Sequence, residues 1–342
     1  MQASSRIIRL MGTMIETKIW HEQAETILDQ VEELLYLYKD RFSANDLTSE
    51  LMEVNLNAGV QAVPVTQDLY ELIKLGKKHS LAEDSFLNIT IGPLVQAWRI
   101  GFGDANIPHQ EIINEKLKLI DPADIELDDE EQMVYLPKKG MAIDLGALAK
   151  GYVADRIVEF LKRMDVAAGL INLGGNVLTF GQAPHNPDGY WRIGIQDPQK
   201  VRGENALVLK ISQESVVTSG VYERTLTVNG KNYHHILSSE TGYPIETNLA
   251  SLTIISKRSV DGEIWTTRLF GQAIPEIFEM VCQLPEVEAV LIDTEGRILL
   301  TPSLVDRVEI GLERVSDGLA SPSEGSFGMR VTSDIVSGAS VL

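Results

Sequence analysis

The chain is poor in cysteine, in long apolar runs and in positive charge, and each shortage excludes a class of protein. A single cysteine, Cys282, stands among its 342 residues, so no internal disulfide can form. No apolar run approaches the roughly 18 residues that a membrane helix needs, and the first residues lack a signal-peptide pattern. Lysines and arginines number 30 against 49 acidic residues, which gives a formal net charge of −19. We therefore expect a cytoplasmic protein without a membrane span that does not bind nucleic acid.

The pattern of apolar residues along the chain predicts both strands and helices. Helices are predicted at residues 21–39, from about Ser49 with Asp46 or Thr48 as cap, at 66–82 with Thr66 as cap, after residue 150, at 260–272 and at 275–283. Strands are predicted at residues 11–20, 86–91, 141–144, 169–181, 191–198, 206–220, 231–239, 251–256 and 287–302. Strands and helices mix without a regular βαβ alternation, so the predicted fold class is α+β. We expect a body at residues 1–314, as one domain or two intimate subdomains, and a flexible Ser/Gly-rich tail at 315–342.

Two segments of small residues can bring backbone close to a ligand. The first is the segment 144–151 (DLGALAKG), whose small residues let the backbone approach a ligand closely. The N-terminus of the helix that follows offers unpaired N–H groups, and Lys150 adds a positive charge. The second segment is the turn Gly174-Gly175-Asn176 between two apolar strands. Both are also compatible with purely structural roles, the first as a tightly packed turn with a surface lysine and the second as a tight hairpin.

Two further segments carry titratable or metal-binding groups. His234 and His235 are adjacent on a predicted strand and therefore face opposite sides, so at most one serves a given site. Histidine is the usual general base at neutral pH, although a strand histidine is also found as a satisfied core or edge residue. Glu263 and Thr267 stand at i and i+4 on a predicted helix, where a carboxylate and a hydroxyl can hold Mg²⁺. The alternative is an ordinary helix start with Asp261 as its N-cap.

Seven segments, taken in order, resemble the FAD:protein FMN transferase (ApbE-like) family. They span about residues 8 to 303 and are MGTMIE, RFSANDLTSELMEVN, FLNITIGPLVQAW, AIDLGALAKGYVAD, INLGGNV, HHILSSETGYP and DGEIWTTRLF. The resemblance implies an ApbE-like, T-fold-like core of mixed sheet with surrounding helices. It also implies an enzyme that cleaves FAD with the help of Mg²⁺, joins the FMN half to a Ser or Thr hydroxyl of an acceptor flavoprotein and releases AMP.

The resemblance assigns roles to individual residues. The backbone carbonyl of Ala147 and the side chains of Glu263 and Thr267 would bind Mg²⁺. His235 would be the general base, with His234 in reserve. The residues expected to contact FAD or line its pocket are Met11, Met14, Trp98, Asp144, Lys150, Gly174, Gly175 and Asn176.

The chain departs from the family's pattern at three of these segments. Glu263 stands where the family usually has Asp, Ser238-Ser239 replaces an Asp-Pro pair, and Asn45 stands where an aromatic residue is common. The departures at Glu263 and Ser238 keep open the alternative of a flavin-binding protein without catalysis. A second alternative within the same fold is a FAD pyrophosphatase, in which water replaces the protein hydroxyl and the products are free FMN and AMP. A nicotinamide-dependent oxidoreductase is disfavoured because neither glycine turn forms GxGxxG between a strand and a helix.

The end of the chain resembles an acceptor rather than an enzyme. Residues 333–340 are similar to the D-x-x-S/T-G-A-T segment in which acceptor proteins carry FMN, and Ser340 stands at the acceptor position. Two interpretations remain, a tethered acceptor at Ser340 and a chance similarity in a disordered end. No lipid-attachment cysteine stands near the start, which favours a cytoplasmic acceptor.

Overall fold

The strands and helices of the chain are arranged around one long sheet. A computed structural model describes residues 3–309, 312–314 and 328–331. The strands are β1 (Ala3–Leu10), β2 (Thr13–Trp20), β3 (Val63–Pro64), β4 (Glu126–Asp128), β5 (Met133–Tyr135), β6 (Gly169–Leu173), β7 (Asn176–Phe180), β8 (Trp191–Gln196), β9 (Asn205–Ile211), β10 (Ser215–Gly220), β11 (Thr225–Val228), β12 (Lys231–His234), β13 (Leu249–Ser256), β14 (Glu288–Asp293), β15 (Ile298–Leu300), β16 (Leu312–Arg314) and β17 (Gly328–Val331). The α-helices are α1 (Ala24–Phe42), α2 (Glu50–Leu56), α3 (Gln67–Ser80), α4 (Gly92–Trp98), α5 (Gln110–Leu117), α6 (Ala149–Arg163), α7 (Ser259–Leu269) and α8 (Ile274–Gln283), and Pro122–Asp124 and Pro302–Arg307 form 3-10 helices.

The main sheet runs in the order β1-β2-β6-β7-β10-β13-β14-β15-β17-β16, and neighbouring strands pair antiparallel. Helices α6 and α7 pack together on one face of its centre, while the β8–β9 ribbon packs on the other face. β7 and β13 are buried at every position, because both faces of the sheet are covered there. The α+β prediction is confirmed, and the order of the sheet is that of an open sheet rather than a closed barrel.

Several sequence predictions agree closely with the structure. The pattern in residues 169–181 forms the β6–β7 hairpin, and the predicted strands at 191–198 and 251–256 correspond to β8 and β13. The helix predicted at 21–39 runs three residues later at each end. These elements have strong local signals, namely alternation or a helical stripe over a full element length.

Four local predictions were wrong. Residues 86–91 and 141–144 form no strand, because 86–91 bends into a turn at 89–90 and the two segments meet through the hydrogen bond from Asp144 N–H to the Ile89 carbonyl at 2.8 Å rather than through a ladder. Neither Asp46 nor Thr48 caps α2, because the hydroxyl of Ser49 accepts the N–H of Met52 at 3.1 Å.

The fourth wrong prediction concerns Asp261, which is not the N-cap of α7, because the helix begins two residues earlier. The prediction also missed β1, which pairs with β2 along its whole length. Of the predicted tail, only Gly328–Val331 is described, as a strand that pairs with β15 and β16, and Ser340 lies outside the described residues.

Candidate active site

The starts of α6 and α7 meet at a contact that only glycine permits. A methyl group placed on Gly151 would lie 2.6 Å from the carbonyl oxygen of Ser259 and 2.7 Å from the α-carbon of Val260. One turn further along α6, the carboxylate of Asp155 accepts the backbone N–H groups of Ser259 and Val260 at 2.8 and 2.9 Å. Asp155 therefore occupies the place of a capping side chain for α7, although it stands 104 residues earlier in the chain.

This contact brings the predicted ligand segments together at one carboxylate. Oε1 of Glu263, which is 4% exposed, accepts a hydrogen bond from Lys150 Nζ at 2.7 Å and another from Asn176 Nδ2 at 2.9 Å. The amide of Asn176 is held in turn, because its Oδ1 accepts the hydroxyl of Ser259 at 2.5 Å, and that hydroxyl accepts Ser215 Oγ at 3.0 Å. The segment 144–151, the glycine turn and α7 therefore share one site, as the sequence interpretation requires.

The three groups expected to hold Mg²⁺ make few hydrogen bonds within the described part of the chain. Glu263 receives both hydrogen bonds on Oε1, so Oε2 takes part in neither. Among the described residues, the Ala147 carbonyl accepts no backbone hydrogen bond and the Thr267 hydroxyl has no hydrogen-bond partner, whereas the Thr266 hydroxyl is bonded to the Glu263 carbonyl at 3.1 Å. The described part of the chain contains no group of three or more His, Cys, Asp or Glu side chains that could hold a metal ion. A site at Glu263 would therefore combine one carboxylate with hydroxyl and carbonyl oxygens, a donor set that suits Mg²⁺.

The glycine turn lies against the β1–β2 turn. Gly174 and Gly175 have φ of 66° and 99°, as a two-residue hairpin requires. A methyl group on Gly174 would lie 2.1 Å from the Thr13 hydroxyl, whereas one on Gly175 would meet nothing within 4 Å. Met11 forms the β1–β2 turn with a positive φ of 51°, and the Met14 side chain on β2 is 55% exposed. Gly175 therefore borders open space, and Met14 is exposed on β2.

The two histidines have different surroundings. Both ring nitrogens of His234 are used, because Nε2 bonds to the Ile245 carbonyl at 2.8 Å and Nδ1 accepts the Ile236 N–H at 3.3 Å. In His235, by contrast, Nδ1 is buried and has no hydrogen-bond partner among the described residues. Burial lowers the pKa of His235 to about 4, and the nearby charge of Arg224 acts in the same direction. His235 is thus a neutral imidazole at physiological pH, while His234 has a structural role that accounts for its polar atoms.

The Ser238 departure has a local structural explanation. The Ser238 hydroxyl accepts the N–H groups of Glu240 and Thr241, each at 3.2 Å, and the Ser238 N–H donates to the Tyr243 carbonyl at 2.8 Å. Caps of this kind are made by Asp, Asn, Ser and Thr side chains alike. Serine therefore keeps the turn but brings no carboxylate beside His235.

Two of the residues expected to contact FAD lie at different depths. The Trp98 ring is completely buried and donates from Nε1 to the Gly242 carbonyl at 2.8 Å. The structure therefore does not support a contact between that ring and FAD. Asp144 is half-buried and accepts the Gly146 N–H on Oδ1 at 2.7 Å. Burial raises the pKa of Asp144, although the Gly146 N–H and the charge of Arg224 oppose that change.

A cavity of about 430 Å³ lies between α4, α5 and the segment that precedes Asp144. It is lined by residues of α4, of the loop at 106–109, of α5 and of the segment 140–142, among them Gln96, Ile107 and Ala142. Ala142 stands two residues before Asp144, and Gln96 donates to Asn45 at 3.1 Å. Its volume lies in the range of small-molecule sites.

Four residues of the site were missed from the sequence. Asp155, Ser215 and Ser259 act through contacts between distant segments, and no local spacing announces them. Arg224, on the turn after β10, carries a charge that acts on both His235 and Asp144. Only the scarcity of basic residues in the chain could have drawn attention to Arg224.

Comparison with known proteins agrees with this architecture. The ApbE family model matches residues 11–291. A protein named FAD:protein FMN transferase from Klebsiella pneumoniae is 39% identical over 294 residues, which cover 85% of this chain and 90% of the relative. One of the same name from Treponema pallidum is 30% identical over 321 residues, which cover 90% of this chain and 89% of the relative. The crystal structure of an ApbE protein from Thermotoga maritima superposes with a TM-score of 0.83 at 25% identity and covers 90% of this chain and all of that one.

The chain belongs to the ApbE family. The resemblance inferred from the seven segments is therefore confirmed. These relatives are named as transferases, which also confirms the prediction of an enzyme of this family. No helix in the described part of the chain has both the length and the apolar character that a bilayer crossing demands.

Proposed function

We propose that this protein transfers the FMN half of FAD to a Ser or Thr hydroxyl of an acceptor protein in a Mg²⁺-dependent reaction that releases AMP. The observation that carries this proposal is the meeting of Lys150 and Asn176 at the buried carboxylate of Glu263. Family membership supports it, because the relatives from Klebsiella and Treponema are named FAD:protein FMN transferases.

Charge explains why the site is built in this way. A protein of net charge −19 repels a diphosphate unless cations neutralise it locally. Ala147, Glu263 and Thr267 would hold Mg²⁺, which when bound supplies positive charge beside the diphosphate and the leaving phosphate. Lys150 adds a further cation at the same place.

His235 is the proposed general base. In the reaction the acceptor hydroxyl oxygen forms a bond to the FMN-side phosphorus, the bond from that phosphorus to the bridging oxygen breaks, and AMP leaves with that oxygen. The hydroxyl proton passes to the neutral ring of His235, whose low pKa keeps it unprotonated and ready to accept. A base of low pKa binds a proton only weakly. Positioning of the reactants and electrostatic stabilisation of the transition state therefore provide most of the rate acceleration.

The surrounding segments account for the rest of FAD. Lys150, Asp144, Asn176 and the glycine turn would contact the diphosphate side, and Met11 and Met14 would line the same pocket from the β1–β2 hairpin. The cavity beside Ala142 has room for one of the two ring systems of FAD.

The decisive experiment follows flavin and AMP together. The protein is incubated with FAD, Mg²⁺ and an acceptor domain that carries the D-x-x-S/T-G-A-T segment, and flavin fluorescence is measured on the denatured acceptor while AMP is quantified. We expect labelled acceptor and equimolar AMP with the wild type, and strong losses with Glu263→Ala and His235→Ala. The exposed residues Glu279 and His185 provide matched controls as Glu279→Ala and His185→Ala.

Each other outcome has a definite meaning. Free FMN and AMP without labelled acceptor would indicate a pyrophosphatase. Tight FAD binding without AMP would indicate a non-catalytic flavin-binding protein. Full transfer by both site variants would contradict the assignment of the site even within the right family.

Ser340 is the proposed acceptor within the chain itself. Intact mass after incubation with FAD and Mg²⁺ alone should show an FMN-sized increment that Ser340→Ala abolishes. An unchanged mass of the wild type would exclude a tethered acceptor without affecting transfer to other proteins.

A further inference from the structure

Arg224 lies close to the candidate site, because its charge acts on both His235 and Asp144. It lies on the turn between β10 and β11, and its side chain packs on the loop after α4, where Cδ lies 2.9 Å from the position of a methyl group on Gly101. Its Nη2 lies 3.9 Å from the corresponding position on Gly12, in the β1–β2 turn. The backbone carbonyl of Arg224 accepts the His235 N–H at 3.2 Å. The side chain of Arg224 is therefore placed between the β1–β2 turn and the loop after α4, while its backbone contacts the proposed base.

Within the described part of the chain this guanidinium forms no ion pair and no side-chain hydrogen bond, although its charge acts on the half-buried carboxylate of Asp144. Arg6 and Arg192 show the usual situation in this acidic protein, since each contacts two or more carboxylates. Arg224 is exposed, forms no ion pair, and lies near enough to His235 to lower its pKa. A positive charge that forms no ion pair and lies beside a histidine does not stabilise the fold. The arrangement is therefore suited to binding an anionic ligand.

We propose that Arg224 binds the diphosphate of FAD and is thus a substrate-binding residue of this enzyme, an inference that rests on the function proposed above. A guanidinium presents two parallel N–H groups that match phosphate oxygens, which an ammonium cannot do. Lys150 is already engaged, because its Nζ lies 2.7 Å from Glu263. The carboxylates of Asp144 and Glu263 offset two positive charges, so a diphosphate in the presence of Mg²⁺ and Lys150 still lacks one cation, which Arg224 supplies.

The test separates phosphate recognition from ring recognition. Dissociation constants for FAD, ADP and riboflavin are measured by calorimetry on wild type, Arg224→Gln, Arg224→Lys and the control Arg163→Gln. Arg163 is an exposed arginine in the last turn of α6, 13 residues from Lys150 and therefore about 20 Å away along the helix. All variants are compared first by urea unfolding, where the exposed Arg224 is expected to have no effect.

We expect Arg224→Gln to weaken FAD and ADP binding by about 10- to 100-fold, the loss of a bidentate charged contact, and to leave riboflavin binding unchanged. Arg224→Lys should lose less, because the charge remains, and Arg163→Gln should behave as the wild type. FAD affinity should fall less steeply with added salt in Arg224→Gln than in the wild type.

Two results would overturn the inference. The first is an unchanged FAD affinity in Arg224→Gln. The second is an equal loss of affinity for riboflavin and for FAD, which would mean that Arg224 contacts a ring of the flavin rather than the diphosphate. Failure of the proposed function has a different signature. In that case the wild type would show the Arg224-dependent preference for FAD and ADP over riboflavin but would release no AMP with Mg²⁺ and an acceptor.

Discussion

Removing the ammonium of Lys150 while the carboxylate of Glu263 stays in place should destabilise the fold in the absence of metal and flavin. The Glu263 side chain is 5% exposed and the Lys150 side chain 29% exposed, with 2.7 Å between Nζ and Oε1. Lys150→Met keeps the length of the side chain but leaves a buried negative charge with only the Asn176 amide as a donor. Glu263→Gln leaves instead a lysine that water can reach.

The magnitudes follow from this asymmetry. Breaking a buried pair typically costs about 3–5 kcal/mol, and the partial exposure of Lys150 reduces this to about 2–3 kcal/mol for Lys150→Met. For Glu263→Gln the remaining charge is hydrated, so the expected loss is about 0–1 kcal/mol. The double variant carries neither charge and should recover most of the loss, with a coupling free energy of about 1–3 kcal/mol.

Urea unfolding of the four proteins in chelator, without flavin, measures these differences. The reasoning is refuted if Lys150→Met unfolds within about 0.5 kcal/mol of the wild type, or if Glu263→Gln loses as much as Lys150→Met. Either result would mean that the ion pair at the site does not form in solution.

The remaining predictions concern metal, packing and pH. Added Mg²⁺ should raise the unfolding midpoint of the wild type but not of Glu263→Gln, whose amide replaces the ligand carboxylate. Gly151→Ala should destabilise by about 1–2 kcal/mol, because its methyl group meets a backbone carbonyl of α7 at 2.6 Å, whereas Gly103→Ala, with nothing within 4 Å, should be neutral in the same urea assay. Burial raises the pKa of Asp155 from 3.8 to about 6, so the folded state holds this proton more tightly than the unfolded state. The stability that this proton provides is complete below pH 3.8 and is lost as the pH rises through about 6, and Asp155→Asn should flatten that part of a stability–pH curve. NMR titration of wild type should show a neutral His235 ring down to about pH 4, and Arg224→Gln should raise that pKa only in part, because burial, the larger cause, remains.

Local patterns allowed much of this molecule to be predicted. The β6–β7 hairpin, the amphipathic α1 and the strand β13 follow from the spacing of apolar residues, because an element's period depends on neighbours two to four positions away. The ordered set of seven segments also sufficed to predict the family.

Partners distant in sequence could not be predicted in the same way. Residues 86–91 and 141–144 have strand-like composition, yet no strand in the described part of the chain pairs with them. Conversely, β1 has a mixed composition and becomes a strand because β2 provides the pairing edge. Strand formation is settled by such pairing as much as by composition.

The sequence by itself determined which chemical groups are present: one carboxylate and a hydroxyl a helical turn apart, a lysine after a small-residue turn, an asparagine after two glycines and a pair of histidines. Only the tertiary structure decided which of them act together. Gly151 allows α6 and α7 to touch, Asp155 holds the start of α7, and Lys150 and Asn176 thereby reach the same oxygen of Glu263. It also assigned one histidine to a backbone contact and left the other with a free ring nitrogen. The physical reason is that hydrogen bonding and charge act over a few ångströms in space, whatever the distance along the chain.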